Sequence, residues 1–138
     1  MDVIVLIGRV LFAVLFLGSG FAHLTQREAM VGYAQSKRIP LAKIAVPVTG
    51  LQIIIGGLMV LLGVWADLGA LLLAAFLLST AVLMHGFWAD TDPQARQGEM
   101  TQFMKDTALA GAALMLFAFF ASHDDLGLTI TGPLFSLD

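Results

Sequence analysis

Residues Val3 to Leu24 read VIVLIGRVLFAVLFLGSGFAHL, an unbroken apolar run with one formal charge, Arg9, and one further ionisable side chain, His23. As a helix of 22 residues it rises about 33 Å, enough to cross the ~30 Å hydrocarbon layer of a bilayer. An arginine inside such a span costs at least ~2.5–3.5 kcal/mol on insertion scales, so it has to face protein, trapped water or the interface. Arg9 and His23 are 14 residues apart, about 1400° of rotation at ~100° per residue, which places them within about 40° of one stripe. Phe12, Phe16 and either Ser19 or Gly20 share it. The remainder of the chain is expected to supply the partners of that face.

Composition agrees with a membrane solvent. Of 138 residues, 59% are hydrophobic and 12% charged, with a mean hydropathy of +0.90. A soluble domain carries about 25% charged residues. The length fits one domain. A net charge of −3 without a basic patch excludes nucleic acid as a partner. There is no cysteine, which removes disulfides, thiolate metal sites and dithiol redox chemistry, so a redox role would need a bound cofactor or a partner. The first run lacks a basic leader and is too long for a signal-peptide core, so it reads as a retained helix.

The pattern predicts an all-α chain: four transmembrane helices in an antiparallel, up-down-up-down bundle over about 3–24, 41–64, 68–88 and 101–122, with a polar tail over 123–138. Thr25-Gln26-Arg27-Glu28 has the spacing of a capping box. The residues after it, Glu28 to Ser36, read either as a short interfacial helix, with Tyr33 at the membrane surface, or as an irregular loop. Pro47 near the start of the second span predicts a mild kink there. Gln52, Gly56, Met59 and Gly63 form a face rich in small residues, and glycines let helix backbones approach closely in lipid. Asp67 is a candidate N-cap for the third span. Ala89 to Met100 is the most polar stretch and reads as a loop; the tail offers room for a short docked strand or coil.

Alternation places both termini and the Trp65–Asp67 turn on one side. Arg27, Lys37, Arg38, Lys43, Arg96 and Lys105 all fall on the other. Basic connections remain in the cytoplasm, so the expected location is the cytoplasmic membrane, with termini outside and connections 25–43 and 89–105 inside.

His23, Gln52, His85, Lys105 and Asp106 belong to that cytoplasmic half, each near one level, and a bundle core gathers such groups. They are the candidate ligand-binding residues, together with Arg9 nearer the outer end. Arg9 either snorkels outward or needs a carboxylate or carbonyl, with Asp67, Asp124 and Asp125 the nearest acids. The sharper alternative for Arg9 is an anionic lipid or ligand headgroup. Two histidines from different helices can ligate haem or a metal, but only if placed diagonally. A quinone headgroup asks for just one or two donors between apolar walls, and is preferred over haem; no metal site is read. Lys105-Asp106 also reads simply as an ion-paired helix start. No catalytic triad, paired intramembrane carboxylates or phosphate loop is present, and neither enzyme nor non-enzyme is decided.

With these residues placed, the chain resembles the DoxX family of small four-helix membrane proteins over about Val3 to Ala121. The likeness rests on Gly8-Arg9, Phe16, Gly18-Ser19-Gly20 and His23, then Pro47, Gly56-Gly57 and Gly63. It continues with Ala74-Ala75-Phe76, His85-Gly86-Phe87-Trp88, Phe103-Met104-Lys105-Asp106 and Ala110-Gly111. The chain departs from many relatives in having Gln52 where they have glutamate, and Asp106 where they have asparagine. The resemblance implies a cytoplasmic-membrane protein, associated in some members with quinone-linked oxidation of sulfur compounds or with oxidative-stress complexes. Two functions follow as expectations. One is an accessory subunit that binds a quinone or lipid headgroup for a redox partner protein. The other is a non-enzymatic scaffold or small-solute passage whose glycine faces make a homo-oligomer.

Overall fold

The computed structural model describes residues 2–124 and 126–137. Among them there are helices and turns but no strand. The elements are α1 (Asp2–Thr25), α2 (Arg27–Ser36), α3 (Ala42–Leu62), α4 (Ala66–Leu83), a 3-10 turn (Phe87–Ala89) and α5 (Pro93–Ala121). Four of these, α1, α3, α4 with its following turn, and α5, are long and apolar enough to span a bilayer. The chain is a multi-pass integral membrane protein, and its expected four-helix bundle is the fold observed.

Packing order follows chain order. α1 lies on α3, α3 on α4 and α4 on α5, while α1 and α5 make no such contact. The bundle is therefore open along one seam. Its core is made of Phe16, Ile53, Val60, Ala70, Leu73, Ala74, Leu77, Ala110 and Ala113. Large apolar side chains such as Ile4, Leu11, Ile44, Ile55, Val82 and Met115 point outward instead. In water that surface would be a liability; in lipid it is the matching solvent, and packing inside relies on small residues. A Cβ on Gly56 would stand 3.1 Å from the Gly69 carbonyl oxygen, and one on Gly20 would stand 2.8 Å from that of Gly50. The glycine stripe of α3 is thus consumed within the chain, closing α3 on α4 and on α1.

α2 is the short helix between the first two spans, and it buries Val31 and Ala34 against Ala42 and Val46. Its cap is not the anticipated box. Thr25 donates to the Phe21 carbonyl at 2.9 Å, continuing α1, and Gln26 occupies the cap position with no side-chain bond. The last span also begins earlier than Thr101. Asp92 caps it, accepting from Ala95 N at 2.8 Å, and Pro93 follows as the first helical residue. Aspartate then proline is a strong helix start; polarity made the stretch look like a loop, yet it forms the first three turns of the helix.

The tail folds back over the end that holds the α3–α4 turn. Arg9, 2% exposed, donates to the carbonyls of Val60 at 2.8 Å, Leu61 at 2.6 Å and Leu128 at 2.8 Å. The first two are orphan carbonyls at the C-terminus of α3, where a cation is favoured by the helix dipole. Arg9 is satisfied by carbonyls, not by an acid; Asp125 lies outside the described residues. Asp67 is not the N-cap, a position held by Trp65. It is fully buried in the first turn of α4, accepting from the tail amides of Leu134 at 2.8 Å and Phe135 at 2.7 Å. Gly63 O receives both Ile130 N and Thr131 N at 3.0 Å. The tail is docked coil.

Candidate functional site

At the opposite end, α2 packs on α3 and α1, its Tyr33 and the following Lys37 reach Glu99 of α5, and a cavity of about 490 Å³ lies beneath it. Ligand pockets typically measure ~300–1,000 Å³. Its walls are apolar, from Phe16, Met30, Val46, Phe76, Leu83 and Met84 among others, and His23, Gln52, His85, Lys105 and Asp106 converge on it. Five of the six residues singled out from the sequence therefore share one chamber. Arg9 stands apart at the tail end.

Each side chain is placed by ordinary helical geometry. His23 ends α1, and its Nδ1 lies 2.7 Å from the Ser19 carbonyl. A carbonyl only accepts, so Nδ1 carries the hydrogen and Nε2 is the acceptor of the neutral ring. Gln52 projects from α3, donating Nε2 to the Leu72 carbonyl at 2.9 Å; its oxygen and second N–H are what it can offer a ligand. His85 follows the end of α4. There Phe87, Trp88 and Phe103 pack edge to face, with ring centres 5.4 to 5.8 Å apart, and pin the turn after His85 onto α5.

That pinning sets His85 between two carboxylates of α5. Nδ1 is 2.7 Å from Glu99 Oε2, and Nε2 is 3.7 Å from Asp106 Oδ2. Lys105 Nζ lies 3.3 Å from Asp106 Oδ1 and donates to Gln102 Oε1 at 2.6 Å. Glu99 also accepts from Tyr33 OH at 2.7 Å and is paired with Lys37 Nζ at 2.9 Å. Lys37, at the end of α2, further faces Asp90 at 3.6 Å. Burial works against the Lys37 charge, but the hydrogen bond and charge of Glu99, then Asp90, outweigh it and raise its pKa. Burial pushes the Tyr33 phenol well above its ordinary range, and Glu99 and Asp90 push the same way.

Glu99, Tyr33, Lys37 and Asp90 were not legible as site residues. Glu99 sat in a presumed loop, and Tyr33 read as an interface anchor. The usable signal was the Asp92-Pro93 helix start, which puts Glu99 and Asp106 seven residues, about two turns, apart on one face of α5.

The DoxX family model matches residues 4–86. The chain belongs to the DoxX family. It is also 28% identical over 114 residues to inner membrane protein YphA of Escherichia coli K12, spanning 83% of this chain and 81% of that one. To inner membrane protein YqjF of the same organism it is 30% identical over 115 residues, spanning 83% and 82%. No solved structure matches the chain. The matched segment of this DoxX-family protein holds His23, Gln52 and His85, whereas Glu99, Lys105 and Asp106 lie beyond it.

Proposed function

We propose that this DoxX-family chain binds a quinone headgroup in the chamber beneath α2, as the membrane subunit of a redox system whose partner protein carries the electrons. The observation that carries the reading is the pairing of an apolar-walled cavity of about 490 Å³ with one polar end, built from His85, Asp106 and Lys105. The donor set fits the group. Lys105 and the His85 ring lie against Asp106 at 3.3 and 3.7 Å, and Lys105 and, when protonated, the ring can donate to a headgroup carbonyl there. Gln52 offers its second N–H from the chamber wall, and the seam between α1 and α5 gives an isoprenoid tail a way into lipid. A bound quinone would supply two-electron chemistry that no residue of this cysteine-free chain supplies. The chain's own residues bind and orient the headgroup and keep bulk water from it. We place the protein in the cytoplasmic membrane, as the names of its relatives suggest, with the basic connections and the chamber mouth on the cytoplasmic side.

The test is binding of ubiquinone and menaquinone analogues to purified protein in nanodiscs, read by thermal shift and by quenching of Trp88, which follows the His85 turn. Expected is saturable binding, weakened at least roughly tenfold by His85→Ala and by Gln52→Ala with the fold retained. Absence of binding by every analogue would refute the reading.

A further inference from the structure

We infer that the proton on His85 decides what kind of headgroup the chamber accepts, so that a hydrogen-bond acceptor and a hydrogen-bond donor bind with opposite pH dependence. This rests on the quinone reading above, and it follows from the ring's two contacts. Glu99 takes Lys37 and Tyr33 on its other oxygen, at 2.9 and 2.7 Å, and meets His85 Nδ1 at 2.7 Å. With two donors already on the carboxylate, His85 Nδ1 must donate as well, which fixes the tautomer. The neutral ring then presents a bare Nε2 lone pair to the chamber.

That lone pair faces Asp106 across 3.7 Å, too long for a hydrogen bond. Two acceptors therefore confront one another unless a hydrogen lies between them. The imidazolium supplies one, and Nε2–H can then be given to a carbonyl oxygen of an incoming quinone. The neutral ring cannot do this. A hydroquinone brings its own hydrogen, and its hydroxyl can donate to Nε2 or to Asp106. Around the ring, Lys37 and Lys105 face Glu99, Asp106 and Asp90, so a charged His85 makes three cations against three anions, and a neutral one leaves a single negative charge. His23 is the other titratable ring on the chamber, held to Ser19.

The experiment measures Kd for decylubiquinone and, under argon, for decylubiquinol in nanodiscs from pH 5 to pH 8, where histidine exchanges its proton. Phenolic hydroxyls titrate near ~10, so the probes stay constant. The quinone is expected to bind more tightly as pH falls and the quinol as pH rises, each by up to roughly tenfold per pH unit, the slope of one linked proton. His85→Gln, which donates and accepts at every pH, should bind both with flat profiles, and this separates His85 from His23. Glu99→Gln should let the ring take either tautomer and collapse the opposition. Parallel or flat profiles in the unmodified protein overturn the inference while leaving quinone binding standing; no binding of either probe overturns both.

Discussion

Replacing Arg9 by methionine keeps the apolar stem and removes three donors. The guanidinium bridges the last turn of α3, through Val60 and Leu61, to the tail at Leu128. Hydrogen bonds from a charged donor contribute about 1.5–3 kcal/mol each. Against their loss, about 2.5–3.5 kcal/mol is recovered by no longer holding a charge within an apolar span. The balance is a destabilisation centred on about 4 kcal/mol. It should be measurable by denaturant unfolding in bicelles, with the tail released: amides of 128–137 should exchange with solvent far faster than in the unmodified protein. Arg9→Lys should recover only part, because an ammonium lacks the planar fork that reaches three carbonyls at once. Equal stability with the tail still protected in Arg9→Met would refute the argument that this charge is a helix cap and tail clamp.

Asp67→Ala strips the acceptor shared by Leu134 N and Phe135 N, and should likewise expose the tail to exchange while the chamber still binds its probe. Gly69→Ala places a Cβ 2.7 Å from that of Met59 and 2.9 Å from the Gly56 carbonyl; forcing α3 from α4 should cost about 1–3 kcal/mol. Gly111→Ala meets nothing within 4 Å and should be neutral or stabilising by up to ~1 kcal/mol, so equal losses at both glycines would contradict the packing described. Tyr33 is the single tyrosine, and its pKa is raised by burial and by Glu99. Its contribution to stability is therefore full below the unfolded value near ~10 and is lost only as pH climbs through the higher folded one. Absorbance at 295 nm should show no phenolate step near pH 10 until the protein unfolds, and Glu99→Gln should bring the step down.

The medium, the number of spans and the residues that could not face lipid are all written in the linear order of side chains. Apolar runs, a scarcity of charge and glycines at helical spacing are local, one-dimensional properties, and a bilayer imposes helix on any such run because backbone polar groups have no other partner there. Equal depth along four spans likewise brought His23, Gln52, His85, Lys105 and Asp106 to one level, and the structure has all five on one chamber. Partner choice was settled only in three dimensions. Arg9 meets Leu128, 119 positions away, and Asp67 meets a tail whose sequence carries no helical or strand period. Glu99 reaches Tyr33 across 66 positions, through a helix whose polar first turns resemble a loop to any measure of hydropathy. Contacts of that kind depend on which faces are turned together when α1, α3, α4 and α5 pack in series and leave one seam open, and rotation about a helix axis is set by neighbours, not by the composition of the helix itself.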